Sequence, residues 1–176
     1  MIKLIQVSNL QELSDDLNQI YIDSFPSDER REWHKLNKLT HHPHFCLYQV
    51  VENQELIGLI SIWNLPYFTF IEHFAIRESD QGKGIGTQIL RQLIEQKETK
   101  VVVEVEEPIN ESTRRRITFY ERLGFSVCKN TYYQPPYSPE KRKVKMLLMS
   151  FPDKMTRLEF IEIKKQLYQE VYQNFE

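Results

Sequence analysis

The stretch DQGKGIGTQIL, residues 80–90, holds three of the five glycines in this 176-residue chain. Gly82, Gly84 and Gly86 stand at every second position, and an apolar helical pattern begins among them at Ile85. One glycine is enough for a flexible turn, so three of them before a patterned helix favour a more specific purpose. At these three positions glycine lets the main chain approach a ligand closely and accept positive φ angles.

A loop that leaves a strand and opens a helix points several unpaired backbone N–H groups in one direction. The helix dipole adds partial positive charge at the same end, and together these features make an anion site suited to phosphate. Lys83 adds a mobile positive charge, whereas Glu78 and Asp80 do not help to bind an anion. We therefore predict a phosphate-binding loop. Its glycine order matches neither a Walker loop nor a Rossmann fingerprint.

Hydrophobic periodicity predicts the element order β-α-(α)-β-β-β-α-β-α-β-β-α along the chain. Consecutive strands imply antiparallel hairpins, as for residues 45–52 and 55–63 about a tight Asn53-Gln54 turn. The strands at 67–76 and 100–107 flank a helix and should be parallel neighbours joined by a right-handed crossover. The predicted fold class is therefore α/β (α+β), with a mixed, mostly antiparallel sheet of six to seven strands flanked by helices.

Two helices near the chain termini are also expected from apolar spacing. A cap at Ser8 or Asn9 should open the first helix, whose apolar face is predicted to hold Leu10, Leu13, Leu17 and Ile20. The last helix, over residues 156–175, is predicted to bury Leu158, Ile161, Tyr168, Val171 and Phe175.

The composition excludes several classes of protein. The formal net charge is −2, so nothing draws the whole molecule toward nucleic acid or an anionic membrane. No apolar run approaches the roughly 18 residues that a bilayer span needs, and the N-terminal stretch does not resemble a secretory signal. Cys46 and Cys128 each lie in an apolar, strand-like run, as expected for reduced core residues of a cytoplasmic protein.

Three motifs together resemble one family. Gln81-Gly82-Lys83-Gly84-Ile85-Gly86 resembles the Q/R-x-x-G-x-G/A signature of the GCN5-related N-acetyltransferase (GNAT) superfamily. FIEHFAI (70–76) resembles the fourth strand of that family, and ITFYERLGF (117–125) resembles its later helix-and-strand segment. The stretch at 104–125, followed by YYQPPY and MLLMS, resembles a bacterial subgroup of the family. Three motifs in this order are far more specific than one glycine loop.

The resemblance implies a GNAT domain over residues 1–150, with an extra C-terminal helix over 151–176 that packs on the domain or on a partner subunit. It implies acetyl-CoA as cosubstrate, bound in the cleft between the fourth and fifth strands, and no metal. The acetyl group would pass to a primary amine, most simply a small molecule, by direct attack in a ternary complex. A non-catalytic acyl-CoA-binding regulatory module is the alternative, and a homodimer stays open.

The residues implied for cofactor binding belong to three segments. The backbone of the fourth strand would serve the oxyanion and the pantetheine arm, the glycine loop would hold the diphosphate, and a later helix would contact the pantetheine. The positions are Phe74, Ala75, Ile76, Gln81, Gly82, Lys83, Gly84, Ile85, Gly86, Thr87, Asn110, Thr113 and Arg116.

At the later helix the chain departs from the family pattern, because Thr113 and Arg116 replace the usual Asn and small Ala. Asn110 lies nearly one turn upstream and is a candidate substitute. The run from Arg114 to Arg116 suits either a solvated helix face or contact with a ribose 3′-phosphate or an acidic substrate.

For catalysis the resemblance implies Glu72 as the base and Tyr120 as the acid that protonates the leaving thiolate. The aromatic neighbours of Glu72 should raise its pKa by desolvation, which would make it a more useful base. Strand alternation should send His73 to the opposite face, which favours a core histidine. Glu106 and Glu107, at the end of the next strand, are the fallback bases.

Overall fold

The computed structural model describes residues 1–9 and 14–173, in which eight strands and five α-helices are present. The chain divides into two compact units, Met1–Thr99 and Lys100–Glu176. The positions predicted for Leu10, Leu13 and Phe175 lie outside the described residues.

The first unit has four strands that pair antiparallel in chain order. They are β1 (Ile2–Gln6), β2 (Phe45–Glu52), β3 (Glu55–Asn64) and β4 (Phe68–Ile76). The helices are α1 (Asp15–Ser24), α2 (Trp33–Leu39) and α3 (Ile85–Glu95). The N-cap of α1 is Ser14, so this helix begins later than the predicted caps at Ser8 and Asn9.

The predicted hairpin between β2 and β3 is confirmed. Asn53 and Gln54 both have positive φ angles, 50° and 72°, as a two-residue turn of type I′ requires. β3, which follows this turn, is buried along most of its length, and β4 beside it is buried along nearly its whole length. The two strands therefore give the first unit a rigid centre.

A β-bulge interrupts the pairing of β3 with β4. Ser61 lies opposite His73, and the next residue, Ile62, lies opposite Ile71, so Glu72 is the extra residue of the bulge. A bulge changes the direction in which neighbouring side chains point. The simple alternation that was expected to separate Glu72 from His73 therefore does not apply here.

Helix α3 is fixed by its apolar face. Ile85 and Ile89 are buried in a cluster with Val50, Ile57 and Ile76. Because Ile85 is the first residue of the helix, this packing also fixes the end of the glycine loop against the strands. Further along the helix, Leu90 and Leu93 are likewise buried, and Ile94 is only partly buried.

The second unit is built around β8 (Val144–Phe151). This strand pairs antiparallel with β5 (Lys100–Glu106), β6 (Ser126–Val127) and β7 (Tyr132–Gln134). Helix α4 (Glu111–Arg122) lies between β5 and β6 in the chain, and α5 (Arg157–Gln166) runs into a single π-helical turn, Leu167–Val171. The stretch FSVCKNTYY was predicted as one strand. The predicted element order has one strand between α4 and β8, where the structure has both β6 and β7. The sheet strands therefore number eight, one more than the upper predicted count of seven.

The predicted buried face of the last helix is wrong in part. Leu158 and Ile161 are exposed by 80% and 53%, although Val171 is buried as expected. The helix carries two apolar stripes, and the one that is buried contains Phe160, Ile163, Leu167 and Val171.

Hydroxyl groups fix the C-terminal segment within its unit. The Tyr172 hydroxyl lies 2.7 and 2.8 Å from the two carboxylate oxygens of Glu104, and the Tyr132 hydroxyl also donates to this carboxylate. The Tyr168 hydroxyl donates to the Tyr133 carbonyl at 2.6 Å. The segment after β8 is thus anchored on β5 and β7. Within residues 1–9 and 14–173, no helix has the length and apolar character to cross a membrane.

Candidate active site

The glycine loop has the geometry that an anion site made of backbone amides requires. Gly82 and Gly84 have φ angles of 76° and 79°, and a Cβ added at either would meet no atom within 4 Å. Both positions are exposed, so the main chain is open to close approach by a ligand. Gly86 is the second residue of α3 and lies in regular helix. Two of the three glycines therefore use the positive φ angles that glycine allows, and Gly86 does not.

The N-terminus of α3 keeps its amides available. Gly84 is the N-cap, and no side chain within the described ranges caps the helix. Thr87 lies in the first turn, behind Ile85 and Gly86. Uncapped amides at a helix start combine unpaired donors with the positive end of the dipole. This end of α3 thus suits a phosphate group.

The segment that enters the loop is held by ion pairs. The Arg77 Nε and Lys83 Nζ atoms each lie 2.7 Å from a different carboxylate oxygen of Asp80. The hydrogen bond from Lys83 and, to a smaller extent, the one from Arg77 lower the pKa of Asp80 to about 2. Lys83, expected to be a mobile charge, is paired. Gln81 donates from Nε2 to the Ile76 carbonyl at 2.8 Å and so ties the loop to the end of β4.

The backbone of β4 that precedes the loop is ordered by its partner strand. Phe74, Ala75 and Ile76 lie opposite three residues of β3 in an uninterrupted register. The bulge lies immediately before them. Their main-chain groups are thus held in a fixed position relative to the glycine loop.

Glu72 is a buried carboxylate with donors on both oxygens. Arg31 donates to Oε1 from Nε and Nη2, at 2.8 and 2.7 Å. Trp63 donates from Nε1 to Oε2 at 2.9 Å. The side chain of Glu72 is fully buried, and that of Arg31 is 13% exposed. Arg31 comes from the short segment before α2, so this ion pair joins that segment to the centre of the sheet.

The expected rise in the pKa of Glu72 is not observed. Burial alone raises this pKa, but the opposing charge of Arg31, with His73 and the hydrogen bonds from Trp63 and Arg31, lowers it below its usual range. A buried carboxylate beside a guanidinium stays ionised. Glu72 is therefore an anion at neutral pH rather than a base with a tuned, raised pKa.

His73 is brought to Glu72 by the bulge. Its Nδ1 lies 4.0 Å from Glu72 Oε2, and its Nε2 lies 2.9 Å from the Glu29 carbonyl. The rings of Tyr21 and Phe25 pack on it at 5.0 and 4.7 Å between centroids. His73 is thus a core histidine, as predicted, but the prediction of opposite faces is wrong because the bulge breaks the alternation.

Tyr120, the predicted acid, is a buried residue of α4 in the second unit. Its ring packs against Phe119 and Phe125. Burial raises its pKa to about 12, against a smaller lowering by Arg116. Among the residues that the structure describes, none forms a hydrogen bond with its hydroxyl.

The start of α4 uses two of the predicted contact residues as a cap. Asn110 Oδ1 accepts from the Thr113 amide at 2.9 Å, and Thr113 Oγ1 accepts in return from the Asn110 amide at 3.1 Å. This capping box stabilises the helix start. Thr113 is buried, so Asn110 and Thr113 have a structural role whether or not they also contact the pantetheine.

The charged groups around α4 are mostly paired. Arg116 donates to Glu106 at 3.0 Å, and Lys145 donates to Glu107 at 2.8 Å. Both fallback bases are therefore in ion pairs. Arg115 is paired with Glu111 on the exposed helix surface, and Arg114 lies 3.3 Å from the Pro108 carbonyl. These pairs favour a solvated helix face over a dedicated phosphate site.

Sequence reasoning missed two groups of residues. Arg31 lies in a polar stretch, SDERREWHKL, that offers no signal for which charge reaches the sheet. Glu104, with its tyrosine donors, was overlooked in favour of the two glutamates after it. No group of three His, Cys, Asp or Glu side chains in the described ranges is arranged to hold a metal ion.

The chain is similar to known proteins of one family. The sequence matches the Acetyltransferase (GNAT) family over residues 10–125. A GNAT-family protein from Bacteroides thetaiotaomicron is 31% identical, with 98% of each chain covered and a TM-score of 0.85. No curated protein matches the chain.

Two more distant structures share the fold. One is a GNAT family acetyltransferase from Elizabethkingia anophelis with acetyl-CoA bound, at 18% identity and a TM-score of 0.57, covering 85% of this chain and 96% of that one. The other is the ribosomal-protein-S18-alanine N-acetyltransferase from Escherichia coli, at 18% identity and a TM-score of 0.59, covering 89% and 96%.

The family match and the fold thus define an acyltransferase of the GNAT type. The chain belongs to the Acetyltransferase (GNAT) family. The predicted fold class, a GNAT-type α/β (α+β) fold with mostly antiparallel strands and flanking helices, is confirmed.

Replacement of Arg31 by Met should leave the Glu72 carboxylate buried without its main counter-charge. We expect the free energy of unfolding at pH 7.5 to fall by about 3–5 kcal/mol, the usual cost of breaking a buried ion pair from one side. In the wild type, the lowered pKa means that ionised Glu72 adds stability above its unfolded pKa of about 4.3, and this is lost only as the pH falls through the lower folded value.

In the variant, burial dominates and raises the pKa of Glu72, so stability is lost as the pH rises through the raised value. The difference in the free energy of unfolding between wild type and variant should therefore be larger at pH 7.5 than near pH 4. Urea unfolding at the two pH values measures it. The double variant Arg31→Met, Glu72→Gln is the control and should recover part of the loss at pH 7.5. A difference in the free energy of unfolding that does not change with pH would contradict the ion-pair account.

Proposed function

We propose that the chain is an N-acetyltransferase that moves an acetyl group from acetyl-CoA to a primary amine by direct attack in a ternary complex. The observation that carries this proposal is the open turn at Gly82 and Gly84 before the uncapped start of α3. Main-chain amides freed of side chains at a helix N-terminus are suited to a diphosphate. The acetyl-CoA bound to the Elizabethkingia relative and the CoA bound to a Bacillus subtilis acetyltransferase support this choice of cosubstrate.

The proposed cofactor contacts follow the three predicted segments. The amides of residues 82–87 would hold the diphosphate, and the β4 backbone from Phe74 to Ile76 would serve the thioester carbonyl and the pantetheine arm. The α4 contacts at Asn110, Thr113 and Arg116 remain a prediction, with the cap and the ion pair described above as their competing roles.

The reaction exchanges the C–S bond of the thioester for a C–N bond, and one proton leaves the acceptor nitrogen while one reaches the departing sulfur. The neutral amine nitrogen attacks the thioester carbonyl, a C–N bond forms, and the C–S bond breaks. The departing thiolate takes a proton from the hydroxyl of Tyr120, and the proton of the acceptor nitrogen leaves through a base. A pKa of about 12 keeps Tyr120 protonated at neutral pH, as an acid must be.

Glu72 is the proposed base, and its surroundings limit how it acts. The lowered pKa makes the carboxylate a weak base, and both oxygens already accept hydrogen bonds. We infer that it receives the acceptor's proton through a water molecule rather than by direct contact.

A non-catalytic acyl-CoA-binding regulatory module is the alternative function. Its support was the replacement of the family's usual residues by Thr113 and Arg116. Membership of an acetyltransferase family and the free hydroxyl of Tyr120 favour transfer. Release of free thiol from acetyl-CoA in the presence of a panel of small amines separates the two proposals.

Replacement of Gly84 by Ala should weaken CoA binding by about tenfold or more, measured by titration calorimetry. The new Cβ fills the open space beside the turn, and the positive φ angle becomes strained. Gly124→Ala is the matched control, since Gly124 also has a positive φ angle, 94°, but lies after α4. It should cost stability and leave CoA affinity within about twofold. Equal affinity for both variants and the wild type would remove the main support for the proposal.

Replacement of Tyr120 by Phe should lower kcat by about 10²–10³, within the range that general acids contribute, and should change CoA affinity little. Tyr168→Phe is the control, because the Tyr168 hydroxyl bonds only a backbone carbonyl among the described residues. The raised pKa also predicts no loss of wild-type rate from Tyr120 ionisation below about pH 11. Wild-type turnover in the Phe variant would exclude Tyr120 as the acid.

A further inference from the structure

An acidic residue lies inside the loop that is proposed to bind an anion. Asp80 is the last residue of a 3-10 turn, Glu78–Asp80, and only 7% of its surface is exposed. Its Oδ2 accepts from Arg77 Nε at 2.7 Å and from Ser79 Oγ at 3.2 Å, and its Oδ1 accepts from Lys83 Nζ at 2.7 Å. An unpaired carboxylate here would repel a diphosphate, so the presence of Asp80 requires an explanation.

The partners of Asp80 lie on opposite sides of it along the chain. Arg77 follows directly after β4 and also lies 3.7 Å from Glu55, on β3. Lys83 lies between the two glycines with positive φ angles. The Asp80 carboxylate therefore links the end of the strand to the glycine turn of the loop.

Backbone hydrogen bonds complete the turn that carries Asp80. The Asp80 amide donates to the Arg77 carbonyl at 2.8 Å, and the Gln81 amide donates to the Glu78 carbonyl at 3.2 Å. After Gln81, the glycines have no side chains to restrict them. Gly82 and Gly84 would lose conformational freedom on binding a ligand unless something else had already fixed the loop.

We propose that Asp80 is a positioning residue, which holds Arg77 and Lys83 together and so fixes the glycine loop before CoA binds. This inference rests on the proposed function, because it concerns the same diphosphate site. Two cations neutralise the carboxylate, so its charge is largely hidden from the ligand. Its remaining effect is on the loop. The backbone amides are held in the conformation that binds the diphosphate, so the loop loses less conformational entropy when CoA binds.

A purely electrostatic role makes the opposite prediction. If Asp80 acted only as a negative charge near the diphosphate, its removal would tighten CoA binding. Glu78 offers a matched control, since it carries the same charge in the same turn, is exposed, and forms no ion pair within the described residues. Asp80→Asn and Glu78→Gln thus remove one charge each, and only the first breaks the link between Arg77 and Lys83.

Titration calorimetry with CoA is the first measurement. We expect Asp80→Asn to raise the Kd for CoA by about tenfold and Glu78→Gln to leave it unchanged or lower it slightly. In steady-state assays, Asp80→Asn should raise the KM for acetyl-CoA and leave kcat within about twofold. Asp80→Asn binding CoA as tightly as the wild type, or more tightly, would overturn the proposal.

Hydrogen exchange without ligand provides a test that does not depend on CoA. The amides of residues 82–86 should exchange faster in Asp80→Asn than in the wild type or in Glu78→Gln. If the wild type itself does not bind CoA, the proposed function fails, and the exchange rates still decide whether Asp80 fixes the loop. Unchanged exchange in Asp80→Asn would reject the positioning role.

Discussion

The packing of one helix end against buried strands is the constraint on which the account depends. Ile85 and Ile89 lie in a single cluster with Val50, Ile57 and Ile76, so buried side chains pack the first turn of α3 against β2, β3 and β4. The glycine loop connects the end of β4 to the start of this helix. The proposed anion site at its amides depends on both of these attachments, and the Asp80 ion pairs add a contact between them.

Burial and charge act in opposite directions on the central carboxylate of the first unit. A carboxylate removed from water without a partner would be protonated, but the Arg31 guanidinium keeps Glu72 ionised. The same ion pair ties the segment between α1 and α2 to the sheet. Glu72 is therefore a structural anion as well as the proposed base, and its two roles are separable only by comparing stability with turnover.

Much of the fold could be predicted from the sequence, because apolar spacing and turn residues act locally. The Asn53-Gln54 hairpin and the buried stripe of α3 follow from such local patterns. The bulge at Glu72 was not predicted, since it depends on the register between two strands. Likewise, Arg31 lies 41 residues before Glu72 along the chain. No pattern of residue types reveals which of several arginines reaches the sheet.

A crystal structure with acetyl-CoA bound tests the central claim most directly. The account predicts that backbone amides of residues 82–87 lie within hydrogen-bonding distance of the diphosphate oxygens, with the Arg77, Asp80 and Lys83 contacts retained. A diphosphate bound elsewhere on the chain, with the glycine turn empty of ligand, would contradict it.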